Sequence, residues 1–120
     1  VSEVDDLGKA MLGTGFSYDL SGDFESNNIA PFSRFLLKAQ AVRRAGSAAL
    51  AIAKVGVGRS DGFWEGGLQP WDMAAGVLIV QEGGGRTTNY EGGPVELGLR
   101  RLVATNGRIH PIMLRVLAER

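Results

Sequence analysis

Cysteine is absent from the 120 residues, which excludes a disulfide framework and any thiolate metal centre and permits a reducing compartment. Net charge is absent too, since thirteen lysines and arginines balance thirteen aspartates and glutamates. No overall field therefore draws the chain to nucleic acid or to an anionic membrane, and a charged ligand must be held locally. Long apolar runs are missing: the longest, around Met73 to Val80, is far shorter than the ~20 residues that span a bilayer. Nothing at the start reads as a cleavable signal, so a soluble, cytoplasmic protein is expected. The single histidine, His110, has no carboxylate or second histidine near it in sequence and is assigned no chemistry.

What is present is enough apolar material for one core. With 44% hydrophobic and 22% charged residues, residues 1–120 read as one globular unit. Val1 to Asp6 has no initiator methionine and reads as a cut end. Lys9 to Thr14, closed by Gly15, suits a buried strand feeding a loop. Asn27 or Asn28 can cap a helix whose apolar positions Ile29, Phe32, Phe35, Leu36, Ala39 and Val42 recur at three- and four-residue steps. Gly46 to Val55 is alanine-rich, with Gly46 and Ser47 suited to its amino-terminal cap.

Asp61 to Glu65 reads as a brief strand, and Pro70 to Glu82 as a helix with proline in its first turn, stopped by Gly83-Gly84-Gly85. Arg86 to Asn89 and Arg101 to Thr105 look like strands, and Pro111 to Leu117 closes as a helix. Strands alternating with helices predict a layered α/β domain. The eighteen glycines are scattered and mark turns rather than a linker.

Three places could carry chemistry. Gly46-Ser47-Ala48 at a helix start leaves unpaired N–H groups with partial positive charge behind them, which suits either an ordinary cap or a bound phosphate. Asp72, in the first turn of the Pro70 helix, favours the helix dipole and can also be aimed at a hard cation such as magnesium. Glu65, seven residues earlier at a strand end, is a solvated acid or an acceptor for ligand hydroxyls. Arg43, Arg44, Asp61 and Glu82 read as surface charges. Phe63, Trp64 and Trp71 read as core or rim packing, since the sequence shows no basic groove of the kind that single-stranded nucleic acid requires.

Together these pieces are specific. Pro70-Trp-Asp-Met-Ala-Ala-Gly76, Leu78-Ile-Val80 and Glu82-Gly-Gly84 closely resemble the W-D-x-A-A-G…E-A-G-G signature of the inositol monophosphatase family. Val42 to Leu50 resembles that family's R-x-x-G-S-A-A-L segment, and Asp61 to Glu65 its D-x-aromatic-aromatic-E strand. Thr14-Gly-Phe-Ser-Tyr-Asp19 is similar to its T-G-F-P-Y-D turn, with serine for proline, and Leu102 to Asn106 to its late A-x-N strand. One departure is Gly83, where alanine is usual, which is expected to loosen the helix end.

The resemblance implies the layered αβαβα sugar-phosphatase fold, of which residues 1–120 would be the C-terminal α/β portion. It implies that Asp72 ligates a catalytic Mg2+ and meets a substrate hydroxyl, that Glu65 binds ring hydroxyls, and that Gly46, Ser47 and Ala48 hold substrate. It further implies a small phosphorylated polyol as substrate, water as nucleophile, lithium sensitivity and a homodimer, with no nucleic-acid or membrane partner. Histidinol phosphate, a sugar bisphosphate or a phosphorylated nucleotide are alternative substrates.

The family's upstream glutamate and D-P-(I/L)-D-G-T motif, which bring most metal ligands, occur nowhere in this chain. Phosphate-monoester hydrolysis can demand more than ~20 kcal/mol of barrier lowering, whereas a helix terminus gives about 0.3–2 kcal/mol to a bound charge. The chain alone is therefore expected to be inactive and to need the missing N-terminal half. The rival expectation is a catalytically silent binding or assembly module that kept the fold.

Overall fold

The computed structural model describes residues 1–16, 22–23, 25–96, 98 and 100–119. Ser17, Tyr18 and Asp19 of the T-G-F-S-Y-D turn lie outside the described residues.

The elements follow in the order β1 (Met11–Thr14), α1 (Ile29–Lys38), β2 (Ala41–Arg44), α2 (Ala48–Gly56), β3 (Gly62–Glu65), α3 (Pro70–Glu82), β4 (Arg86–Thr88), β5 (Leu102–Thr105) and α4 (His110–Ala118). A single 3-10 turn, Leu7–Lys9, precedes β1, capped by Asp6, whose side chain accepts from the Gly8 N–H. The five strands form one sheet in the order β2-β1-β3-β5-β4. β2, β1 and β3 are parallel, whereas β5 is antiparallel to both β3 and β4. The α/β class expected from the sequence is the observed one.

Alternation along the strands sends successive side chains to opposite faces. Trp64 and Val103 join Leu12, Phe35 and Met113 in a core under α1 and α4. Phe63, Leu102 and Ala104 join Ile52, Val55, Met73 and Val80 under α2 and α3. The molecule is thus a helix–sheet–helix sandwich whose central strand β3 contributes one large aromatic to each face.

Two expectations fail in α1. The helix stops at Lys38, and Ala41–Arg44 is an edge strand rather than a continuation through Val42. The Ala10 carbonyl accepts from the N–H groups of Gln40 and Ala41 at 3.0 and 3.3 Å, so pairing with the chain beside β1 captures this segment. Leu36, expected on the apolar face, is half exposed at 54%.

Other side chains also depart from expectation. Asp61 is buried, its carboxylate accepting from Ser2 Oγ at 2.6 Å and from the Met11 N–H at 2.7 Å. Trp71 is 71% exposed, while Phe63 and Trp64 are core as expected. Gly83 does more than end a helix: a Cβ there would lie 2.2 Å from the Gly56 carbonyl oxygen, so the missing side chain lets α3 close onto α2.

Candidate functional site

Parallel pairing places the carboxyl ends of β2, β1 and β3 on one edge of the sheet. Thr14 is level with Arg44 on one side and with Trp64 on the other. The chain leaves that edge through Ala45 to Ser47, through Gly15 and through Glu65, so the candidate residues sit at the strand ends where α/β sheets bind ligands. Two strand spacings, about 10 Å, separate the start of α2 from Glu65 along this edge.

The helices bring Asp72 to the same edge. A Cβ on Gly76 would lie 2.6 Å from Ile52 Cγ2, and one on Gly56 would lie 2.7 Å from Ile79 Cγ2. Contacts that advance in the same direction along both helices mean that α2 and α3 run parallel. One turn earlier in each helix, Ala48 is level with Asp72, so the positive ends of both helices lie on the Asp72 side.

Ser47 caps α2, its Oγ accepting from the Leu50 N–H at 3.3 Å. Gly46 has open space where a side chain would sit. α3 is capped differently: Gln69 makes no side-chain cap bond, and Pro70 fills the first position, where no N–H is needed. Asp72 is half-buried, and its carboxylate has neither a hydrogen bond nor an ion pair among the described residues. It is not consumed by capping.

Glu65 is held by its surroundings. A Cβ on Gly15 would lie 2.1 Å from Glu65 Oε1, so only glycine leaves room for this carboxylate. Burial, and next the adjacent charge of Asp72, push the Glu65 carboxyl up to about 7. Glu65 likewise has no hydrogen bond or ion pair among the described residues. Beside it, Tyr90 is raised above its ordinary range by burial and then by the Glu65 charge. Arg101 lies over the Tyr90 ring, 5.4 Å from its centroid, and pairs with Glu91 at 3.3 Å.

The sequence offered Asn27 or Asn28 as the helix cap; Asn28 holds the N-cap position without a side-chain cap bond, and its side chain has a further role that the sequence reading missed. Asn27 does the capping, its Oδ1 accepting from the Ile29 N–H. Asn28, with φ of 72°, turns inward: its Nδ2 donates to Thr14 Oγ1 at 3.0 Å and to the Gly15 carbonyl at 2.9 Å, and its Oδ1 accepts from Trp64 Nε1 at 2.7 Å. Thr14 Oγ1 donates to the Trp64 carbonyl at 2.5 Å. This buried polar knot ties the ends of β1 and β3 together and so holds Gly15 against Glu65. No local signal marks it, because the burial that obliges a second asparagine to find partners is set by the fold.

Asp72 and Glu65 offer hard carboxylate oxygens, which suit magnesium or a similar cation. Among the described residues no group of three or more histidines, aspartates or glutamates stands close enough to enclose a metal. The donor chemistry of the two carboxylates fits a hard cation. His110 takes no part; it is buried between Thr88 and Thr105. No helix among the described residues is long and apolar enough to cross a membrane.

The whole chain, residues 1–120, matches the model of the inositol monophosphatase family. Among curated relatives, an inositol-1-monophosphatase of Synechocystis is 45% identical over 98% of this chain and 41% of its own length. A Nus factor SuhB of Pseudomonas aeruginosa is 41% identical over 95% of this chain and 42% of its own length. Among solved structures, an inositol monophosphatase from Anabaena superposes with a TM-score of 0.92 at 45% identity, over 98% of this chain and 46% of that one. The chain thus spans less than half the length of these relatives. A fold and a sequence that agree over the full 120 residues lead to one conclusion: the chain belongs to the inositol monophosphatase family.

Proposed function

We propose that this chain is the C-terminal portion of a magnesium-dependent phosphomonoesterase that hydrolyses inositol monophosphate or a related polyol phosphate with water as nucleophile. The observation that carries the reading is the pair Glu65 and Asp72, two adjacent carboxylates without partners among the described residues, Asp72 in the first turn of α3. Adjacent unpaired carboxylates are costly unless a cation or a hydrogen-bond donor satisfies them.

In this reading Asp72 holds the magnesium and meets one substrate hydroxyl. Glu65, braced by Gly15, accepts from vicinal hydroxyls, and it disfavours a second phosphate at that position. The N–H groups of Ser47 and Ala48 hold substrate at the start of α2. Magnesium, when bound, supplies Lewis acidity toward the ester and its attacking water. The remaining ligands come from an N-terminal half with the motif that this chain lacks.

The outer face of the helical layer supports that half. Between its polar ends α3 is apolar from Met73 to Val80, a pattern that suits burial all round, yet Trp71, Leu78 and Ile79 are exposed, as are Leu50 of α2 and Val57 just after it. A second layer laid on these helices would complete the αβαβα stack. A cytoplasmic homodimer belongs to the same reading. The silent-module alternative has no use for two unsatisfied carboxylates.

The test is magnesium-dependent release of phosphate from inositol monophosphate by the purified protein with the N-terminal half supplied. Activity that disappears in Asp72→Asn supports the assignment. Equal release by wild type and Asp72→Asn, or none from the complemented wild type, overturns it.

A further inference from the structure

Glu65 is the last residue of β3 and Asp72 lies in the first turn of α3, so the spacing of the two carboxylates is set by the link 66–69 between these elements. The link has few constraints of its own. Gly66 and Gly67 bring no side chain, and Gly67 takes a φ of 77°. Leu68 is the fixed point. Its side chain is buried in the core with Phe63, Met73 and Leu102. Its N–H donates to the Arg100 carbonyl at 3.1 Å, the one backbone hydrogen bond of residues 66–68 among the described residues.

Arg100 makes that bond from a conformation its residue type resists. Its φ is 59°, in the left-handed region that a residue with a Cβ rarely enters. The end of the sheet explains it. β5 begins at Leu102, level with Glu65, and continuing the antiparallel count sets Gly66 against Arg101 and Gly67 against Arg100. Gly66 and Arg101 do meet, since a Cβ on Gly66 would lie 3.7 Å from Arg101 Cγ. One residue further, Gly67 and Arg100 are both left-handed, and the two chains leave the sheet there. The Arg100 side chain is exposed and makes no hydrogen bond or ion pair among the described residues. No contact of its guanidinium accounts for the conformation, so the surrounding backbone imposes it.

We propose that Arg100 is a positioning residue for the candidate site: its left-handed backbone aims a carbonyl at the Leu68 N–H, and this bond fixes the link that spaces Glu65 from Asp72. The inference rests on the phosphatase reading for what the two carboxylates do, and on geometry alone for how they are held. Arg100 acts through Leu68. A side chain that opposes positive φ turns the peptide away, takes the acceptor from Leu68 and frees a link that contains two glycines. Misplacing a reacting group by about 1 Å can cost about 100-fold in rate.

Steady-state kinetics of the protein with the N-terminal half supplied, beside amide hydrogen exchange at Leu68, tests it. Arg100→Val carries a branched side chain that strongly opposes a left-handed backbone. It is expected to lose protection at Leu68 and to raise both KM for polyol phosphate and the Mg2+ concentration at half-maximal rate about tenfold. Arg100→Gly keeps the carbonyl and relaxes the conformation, so this conservative variant is expected to rescue all three. A residue that served stability alone would lower kcat and the urea midpoint while KM and the Mg2+ requirement stayed where they were; that pattern overturns the proposal. So does an Arg100→Val protein that matches wild type, or a Leu68 N–H that is unprotected in wild type. If urea titration shows Arg100→Val unfolded, Arg100→Ala carries the same test with a smaller penalty. Complemented wild type that releases no phosphate overturns the phosphatase reading instead, and exchange at Leu68 in wild type and both variants then decides whether Arg100 holds the link.

Discussion

At the scale of single residues, the Glu65 carboxylate depends on an absence. Gly15→Ala would put a methyl group 2.1 Å from Glu65 Oε1, and since Glu65 ends a strand and is half-exposed, the side chain rather than the backbone gives way. In the complemented enzyme the expected result is a KM for polyol phosphate raised about tenfold with a small stability change, read by steady-state kinetics beside urea unfolding. An unchanged KM would show that Glu65 does not contact substrate. His110 gives a second prediction. Thr88 Oγ1 donates to the Asn89 carbonyl and so accepts from Nε2, while Gly107 N–H donates to Thr105 Oγ1, whose own proton is left for Nδ1. The network suits a neutral ring, and burial, followed by the charge of Arg86, holds His110 down to about 4. The unfolded chain takes up this proton below about pH 6.5 and the folded chain does not, so stability is complete above 6.5 and falls as pH drops toward 4, by up to ~3 kcal/mol. Urea titrations at pH 7, 6 and 5 should show this slope, and His110→Gln should flatten it. Parallel slopes in the two proteins would exclude His110 as the source.

At the scale of elements, the parallel pair α2 and α3 sets Asp72 beside Ala48, and small residues make the approach possible. Gly76→Ala would bring a Cβ to 2.6 Å from Ile52 Cγ2 and is expected to cost about 1–3 kcal/mol through overpacking. Combining it with Ile52→Ala should recover part of that cost, giving a coupling of about 1 kcal/mol in a double-mutant cycle. Strict additivity would mean that the two helices do not meet at this point. Most elements could be read from local signals. Pro70 and the glycines after Glu82 bound α3, and Ser47 marks the start of α2. β2 could not, because Phe35, Ala39 and Val42 continue a helical period, and only the Ala10 carbonyl, thirty residues back, turns the segment into a strand.

At the scale of the whole molecule, one helical layer is covered by the sheet on one side and open on the other. Trp64 is fully buried and Trp71 is 71% exposed, so the two tryptophans report the core and the open face separately. Iodide should quench Trp71 in Trp64→Phe and leave Trp64 dark to it in Trp71→Phe. Addition of the N-terminal half should then protect Trp71 if that half lies on α2 and α3. Quenching that persists in an active complex would place the second layer elsewhere.

The sequence by itself determined the family, the α/β class and the identity of Asp72, Glu65 and Gly46 to Ala48 as the candidates, because motif spacing and helix-start chemistry are local properties. Tertiary structure alone decided that these candidates share one edge, since this follows from parallel pairing of β2, β1 and β3 and from the parallel run of α2 and α3. It also decided that the Asn28 side chain braces β1 and β3 rather than capping α1, that Asp61 is buried, and that Arg43, Lys54 and Arg59, scattered through a neutral sequence, line one groove with Gly46 and Ser47. The reason is the same in each case: partners far apart in the chain set the burial and direction of a side chain, and a count of residues along the sequence carries neither.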